Sequence, residues 1–176
     1  TNGELVLGNR EWLVACSCSA GPAFEGSGIS SGMRAMDGAI DQISIDSDTL
    51  EVSARTIGEQ KPLGICGSGL IYSISEMARA GIIDRAGKFS DKIRNERIRE
   101  GGAGPEFVLA CAEEPGNDND IVITEADVKN LIRAKGAVFA GIMTMLDQMQ
   151  LSVTDIGKIY VAGGFGRYMN ITDSIR

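Results

Sequence analysis

The chain has no histidine among its 176 residues. That absence removes the usual general base near neutral pH, the commonest metal-binding side chain, and every Ser-His-Asp or Cys-His arrangement. Cysteine is scarce and scattered, at Cys16, Cys18, Cys66 and Cys111. The scatter matches no disulfide framework and points to a reducing compartment, the cytoplasm. No apolar run approaches the roughly 20 residues that a membrane helix needs, so no membrane role is expected, and the N-terminus carries no signal-peptide pattern. Internal repeats and low-complexity stretches are missing as well. Positive charge is in short supply: 17 Lys and Arg face 24 Asp and Glu, for a formal net charge of −7. This argues against non-specific binding to nucleic acid or to an anionic membrane. It does not argue against nucleotides, whose phosphates are cradled by backbone N–H groups at glycine loops.

What is present fits one globular domain. Apolar residues make up 43% and charged residues 23%, and the length suffices for a real core. Glu4 to Leu7 and Glu11 to Ser17 read as a hairpin turning at Gly8-Asn9. Gly21, Pro22, Gly26, Gly28 and Gly32 then break the chain into loop. Ile40 to Ile45 and Leu50 to Ile57 alternate in period two and form a second hairpin across Asp46-Ser47-Asp48. Gly64-Ile65-Cys66-Gly67-Ser68-Gly69 opens a helix to about Ala80, with Leu70, Ile71, Ile74, Met77 and Ala78 as its apolar stripe and Gly81 as its stop. Residues 84 to 104 are expected to be surface loop with some helix. Phe107 to Ala112 and Ile121 to Ile123 read as strands joined through Pro115-Gly116-Asn117-Asp118. Thr124 and Asp127 form a capping-box variant ahead of a long helix. Val128, Leu131, Ile132, Val138, Phe139, Ile142, Leu146 and Met149 supply its core face. Lys158 to Ala162 reads as a short buried strand running into Gly163-Gly164-Phe165-Gly166, and Ile171 to Arg176 as the start of a helix. The order predicts an α/β fold: a mixed sheet with flanking helices.

Six features are candidates for chemistry. The segment ending in Gly163, Gly164 and Gly166 places glycines where a strand gives way to a helix, which is where α/β sheets bind ligands. It reads either as a nucleotide contact or as a plain tight turn. Thr1, Asn2 and Gly3 precede the first strand, as phosphate donors or as a frayed terminus. Gly67 and Ser68 offer helix N-terminal N–H groups to an anion, or Ser68 is merely the capping side chain. Lys135 lies on or beside the apolar stripe of the long helix, as a ligand contact or as a snorkelling lysine. Cys16 and Cys18 share one strand face and read as buried core, since two thiolates without further ligands make a poor metal site. Glu4 and Glu25 lie near glycine loops, as water- or magnesium-positioning groups or as solvated surface.

Together, Thr1 to Gly8, Ala15 to Gly26, Gly64 to Leu70 and Ala162 to Ile171 resemble the C-terminal region of the reductive activators of corrinoid proteins. The resemblance covers nearly the whole chain. It implies an RNase H-like (actin-like ATPase) subdomain with an inserted hairpin, residues 1–176 being the second such half of an ASKHA ATPase module truncated at both ends. It implies ATP with magnesium in a cleft between two subdomains, Thr1, Asn2 and Gly3 in the second phosphate loop, Gly163, Gly164 and Gly166 in the adenosine motif, and Lys135 on a helix flanking the nucleoside. It further implies a two-iron two-sulfur cluster on an N-terminal domain absent from this chain. ATP hydrolysis would accompany electron transfer to cob(II)amide on a methyltransferase partner. The Asp-Ile-Gly that precedes the family's phosphate-loop threonine is not in this sequence, so the chain alone is expected to be inactive, with no catalytic residue and no metal ligand of its own. The alternatives are a module that docks a corrinoid protein or forms a homodimer without nucleotide chemistry, and half of a kinase-like phosphotransferase.

Overall fold

The protein is represented by a computed structural model that describes residues 3–112 and 119–163. The expected Pro115–Asp118 turn and the helix from Ile171 lie outside the described residues.

Strands β1 (Gly3–Gly8) and β2 (Leu13–Cys18) form the first hairpin, antiparallel, with Gly3 opposite Cys18 and Gly8 opposite Leu13. Its turn is held by the Asn9 carboxamide, whose oxygen accepts the Glu11 and Trp12 N–H groups at 2.8 and 3.2 Å. The second hairpin pairs β3 (Ala39–Ile45) with β4 (Val52–Thr56). Strand β5 (Gly64–Ile65) lies parallel to β3 on its other side, so this sheet is mixed and ordered β4-β3-β5. Period-two burial of Ile43 and Ile45 turns one face of β3 to the core.

Helix α1 (Gly67–Arg79) packs on that face of β3. Glycine at position 69 is required there, because a Cβ would collide with the Ile40 carbonyl oxygen. The helix ends in a Schellman arrangement: Gly81 is left-handed at φ +71°, the Ile82 N–H reaches back to the Met77 carbonyl at 2.9 Å, and the Gly81 N–H to Ala78 at 3.2 Å. A third sheet, β6 (Ile98–Gly101), β7 (Gly104–Ala110) and β8 (Ile121–Thr124), is antiparallel throughout. Phe107, Leu109, Ile121 and Ile123 from this sheet join Ile40, Ile43, Ile45, Leu70 and Met77 in one core. Arg99 of β6 bridges Glu106 of β7 at 2.8 Å and Asp120, just before β8, at 2.6 Å.

Helix α2 (Glu125–Gln148) follows β8 at once. Its capping box is present: the Asp127 N–H donates to the Thr124 hydroxyl at 3.2 Å, and the Thr124 N–H to the Asp127 carboxylate at 2.9 Å. Val128 and Ala134 are buried in the first half, whereas Gly141 and Met145 in the second half lie on the β1–β2 hairpin.

Several elements differ from the sequence reading. Lys158–Ala162 is neither a strand nor buried; Ile159, Tyr160 and Val161 are 81%, 84% and 64% exposed. An apolar run becomes a strand only where a neighbour accepts its hydrogen bonds, and none of the described strands pairs with this one. Residues 84–104 hold no helix; their last part is strand β6, drawn into a ladder by β7. The apolar stripe of α2 is wider than its buried face, leaving Ile132, Phe139, Ile142 and Met143 exposed. Ser68 does not cap α1: Cys66 occupies that position, and Ser68 is already inside the helix. Cys16 and Cys18 do share one face, but they are half-buried beneath α2 instead of sealed in the core.

Candidate functional site

Of the predicted site residues that are described, Gly3 lies on β1, Gly67 and Ser68 on α1 and Lys135 on α2, while Gly163 lies outside any helix or strand. Gly3 starts β1 at the open end of the hairpin, opposite Cys18. A Cβ there would lie 2.8 Å from Cys18 Sγ, so the thiol would have to move, and 3.5 Å, an ordinary contact, from Val138 Cγ2. The Cys18 thiol donates to the Gly3 carbonyl at 3.3 Å. Lys135 is exposed on α2, one turn before Val138, and is therefore carried on the helix that covers Gly3. Thr1 and Asn2 lie outside the described residues.

Gly67 and Ser68 open α1. Their N–H groups belong to the first turn, which has no intrahelical acceptors, and they carry the positive end of the helix dipole. No side chain caps this end, and the Ser68 hydroxyl lies 3.2 Å from Cys66 Sγ. Gly163 is exposed, has φ +93°, and would set a Cβ into open space. Its positive φ favours glycine, and among the described residues nothing lies within 4 Å of where a Cβ would sit. Gly164 and Gly166 lie outside the described residues, so only Gly163 of that motif has a described geometry.

The structure joins two of these elements through a segment that the sequence showed only as glycine-broken loop. Residues 19–33 leave the hairpin at Cys18, opposite Gly3, and end in a parallel bridge from Gly32 to Ile65, next to Cys66 and Gly67. The Met33 N–H donates to the Ile65 carbonyl, and the Ile65 N–H to Ser31, each at 2.8 Å. Gly21, Gly26 and Gly28 take φ of +75°, +78° and +75°. The loop is fastened to α2 by Asp127, whose Oδ1 accepts the Ser30 N–H at 2.9 Å and the Ser30 hydroxyl at 3.3 Å. Asn130 Nδ2 donates to the Gly28 carbonyl at 2.9 Å. Nothing in the sequence announces this second duty of a capping aspartate.

Charge around these elements is settled locally. The Ala112 N–H and then Arg99 hold the Asp120 carboxyl below its ordinary pKa, and Lys129, at 2.5 Å, does the same to Glu125. Glu4 and Glu25 are both exposed. Among the described residues no group of three His, Cys, Asp or Glu side chains is placed to hold a metal. The arrangement therefore offers backbone N–H groups and glycine surfaces, which suit a phosphate or a flat ring. Among the described residues no helix is long and apolar enough to cross a membrane.

A mixed α/β framework with glycine turns at its helix starts is what an actin-like ATPase domain presents, and the comparisons place the chain in that class. Over residues 1–176 it matches the family model described as the C-terminal domain of RACo, the ASKHA domain, and it belongs to that family. It is similar to a solved structure, the reductive activator for corrinoid, iron–sulfur protein, at 60% identity and a TM-score of 0.92, over 99% of this chain and 28% of that one. It is 31% identical to the corrinoid activation enzyme RamQ of Eubacterium limosum, over 97% of this chain and 30% of that protein. It is also 31% identical to the [Co(II) methylated amine-specific corrinoid protein] reductase of Methanosarcina barkeri, over 100% of this chain and 32% of that protein. The chain thus spans about a third of the length of these curated relatives. The resemblance and the fold class read from the sequence are both borne out.

Proposed function

We propose that this chain is the nucleotide-binding half of an ATP-dependent reductive activator of corrinoid proteins, the second RNase H-like half of its ASKHA module. In the full-length protein ATP hydrolysis would accompany transfer of a low-potential electron to the cob(II)amide of a methyltransferase partner. The observation that supports this most is the unbroken match of the whole chain to a family of corrinoid activators. Gly67 and Ser68 would offer N–H groups to phosphate, Thr1, Asn2 and Gly3 would belong to the second phosphate loop, and Gly163, Gly164 and Gly166 would face the adenosine, with Lys135 beside it. The two-iron two-sulfur cluster would sit on a separate domain, and the compartment would be the cytoplasm. Bound ATP supplies the phosphoryl group; this chain's part is to hold and orient it.

The deciding experiment is a calorimetric titration of the full-length Gly164→Val variant with a non-hydrolysable ATP analogue. Loss of the proposed close contact should weaken binding by about 2–3 kcal/mol, roughly 30- to 150-fold, with the iron–sulfur spectrum intact. Wild-type affinity in the folded variant would remove the glycine motif from the site. A second reading, docking or dimerisation without nucleotide chemistry, draws on the exposed Ile132, Phe139 and Met143 of α2. It predicts that the wild-type protein binds a corrinoid protein or itself but no ATP analogue.

A further inference from the structure

We propose that loop 19–33 is a wall of the nucleotide site, and that Asp127 and Asn130 are the positioning residues that set it. The proposal rests on the nucleotide reading above. The loop's two ends are the two candidate phosphate elements: it leaves beside Gly3 and returns beside Gly67 and Ser68. Its interior is folded tightly on itself. A Cβ at Gly32 would collide with the Gly26 carbonyl, and one at Gly26 would lie 2.5 Å from the Met33 carbonyl oxygen. A loop this compact moves as one piece, so whatever fixes its middle also fixes the relative placement of its ends.

The fixing point is the start of α2. Asp127 is 2% exposed, and its two carboxylate oxygens are divided between the Thr124 cap and Ser30 of the loop. A buried carboxylate is stable only with such donors around it, so the loop and the helix cap complete one another. Asn130, one turn on, adds a bond to Gly28, a left-handed residue at the loop's crest. The same helix carries Lys135 further along. Helix α2 therefore holds the loop, and through it the two backbone cradles, in one geometry before any ligand arrives.

Asn130→Asp in the full-length protein tests this. The substitution keeps the side chain's shape but replaces the donor to Gly28 with a carboxylate oxygen that can only accept. Affinity for a non-hydrolysable ATP analogue should fall about five- to tenfold in a variant that still melts cooperatively, whereas a purely structural role would lower the thermal midpoint and leave the affinity of the folded protein unchanged. Ser30→Ala, which removes the hydroxyl bonds and keeps the backbone one, should give a smaller loss in the same direction. Wild-type affinity in both variants, with the unsubstituted protein binding normally, overturns the positioning role and leaves the nucleotide reading standing. Absence of binding by the unsubstituted protein overturns both.

Discussion

Glycine at position 69 is decided by a carbonyl. Helix α1 approaches β3 so closely that a single added methyl group would meet the Ile40 oxygen, and the helix would have to lift from the sheet. Gly69→Ala should destabilise the chain by about 2–3 kcal/mol despite the better helix propensity of alanine; a urea titration measures it, and a neutral result would mean that the helix seats less tightly. Asp120 sets a pH dependence. Its carboxyl is held below the ordinary range by the Ala112 N–H and Arg99. A depressed native pKa stabilises the fold above the unfolded value, near 3.9, and the contribution is lost as pH falls through the native value. Asp120→Asn should therefore lower the thermal midpoint at neutral pH, and the gap to wild type should close below about pH 4.

At the level of elements, the sequence was most legible where local chemistry and packing agree. Thr124 and Asp127 announce α2, Gly81 ends α1, and the alternation of Ile43 and Ile45 marks a strand face; each is found in place. Legibility failed where a neighbour decides the outcome. Residues 84–104 hide strand β6, which exists because β7 offers a ladder. The 158–162 run has every strand signal and lacks a described partner. Of the candidate site, the glycines could be picked out one by one, but the loop that links Gly3 to Gly67 depends on a bond between residues 97 apart in sequence. The outward face of α2 gives a prediction of its own. Phe139 is 62% exposed, so Phe139→Glu should change the stability of this chain by no more than about 0.5 kcal/mol in a thermal melt. A large loss would show that this face is already covered, for instance by a second copy.

For the molecule as a whole, the chain covers 30–32% of its curated relatives, and on the proposed function it is one half of a two-part nucleotide cleft. The purified 176-residue chain should accordingly show no steady ATP turnover; turnover abolished by Gly164→Val would contradict that. It should also purify without colour, since Cys16, Cys18, Cys66 and Cys111 converge on no common point among the described residues. A charge-transfer band with stoichiometric iron would contradict that in turn. Helix α2 has a mechanical consequence at this scale. Its first half is anchored in the main core through Val128 and Leu131, whereas its second half is the chief support of the β1–β2 hairpin, and Gly136 sits between them with no described residue within 4 Å of where its Cβ would be. We expect the two halves to open as separate cooperative units. Amide protons of Leu131 and Ala134 should exchange only when the whole domain opens, while those of Thr144 and Met145 should exchange sooner, in step with the hairpin, as the helix frays back to its glycine.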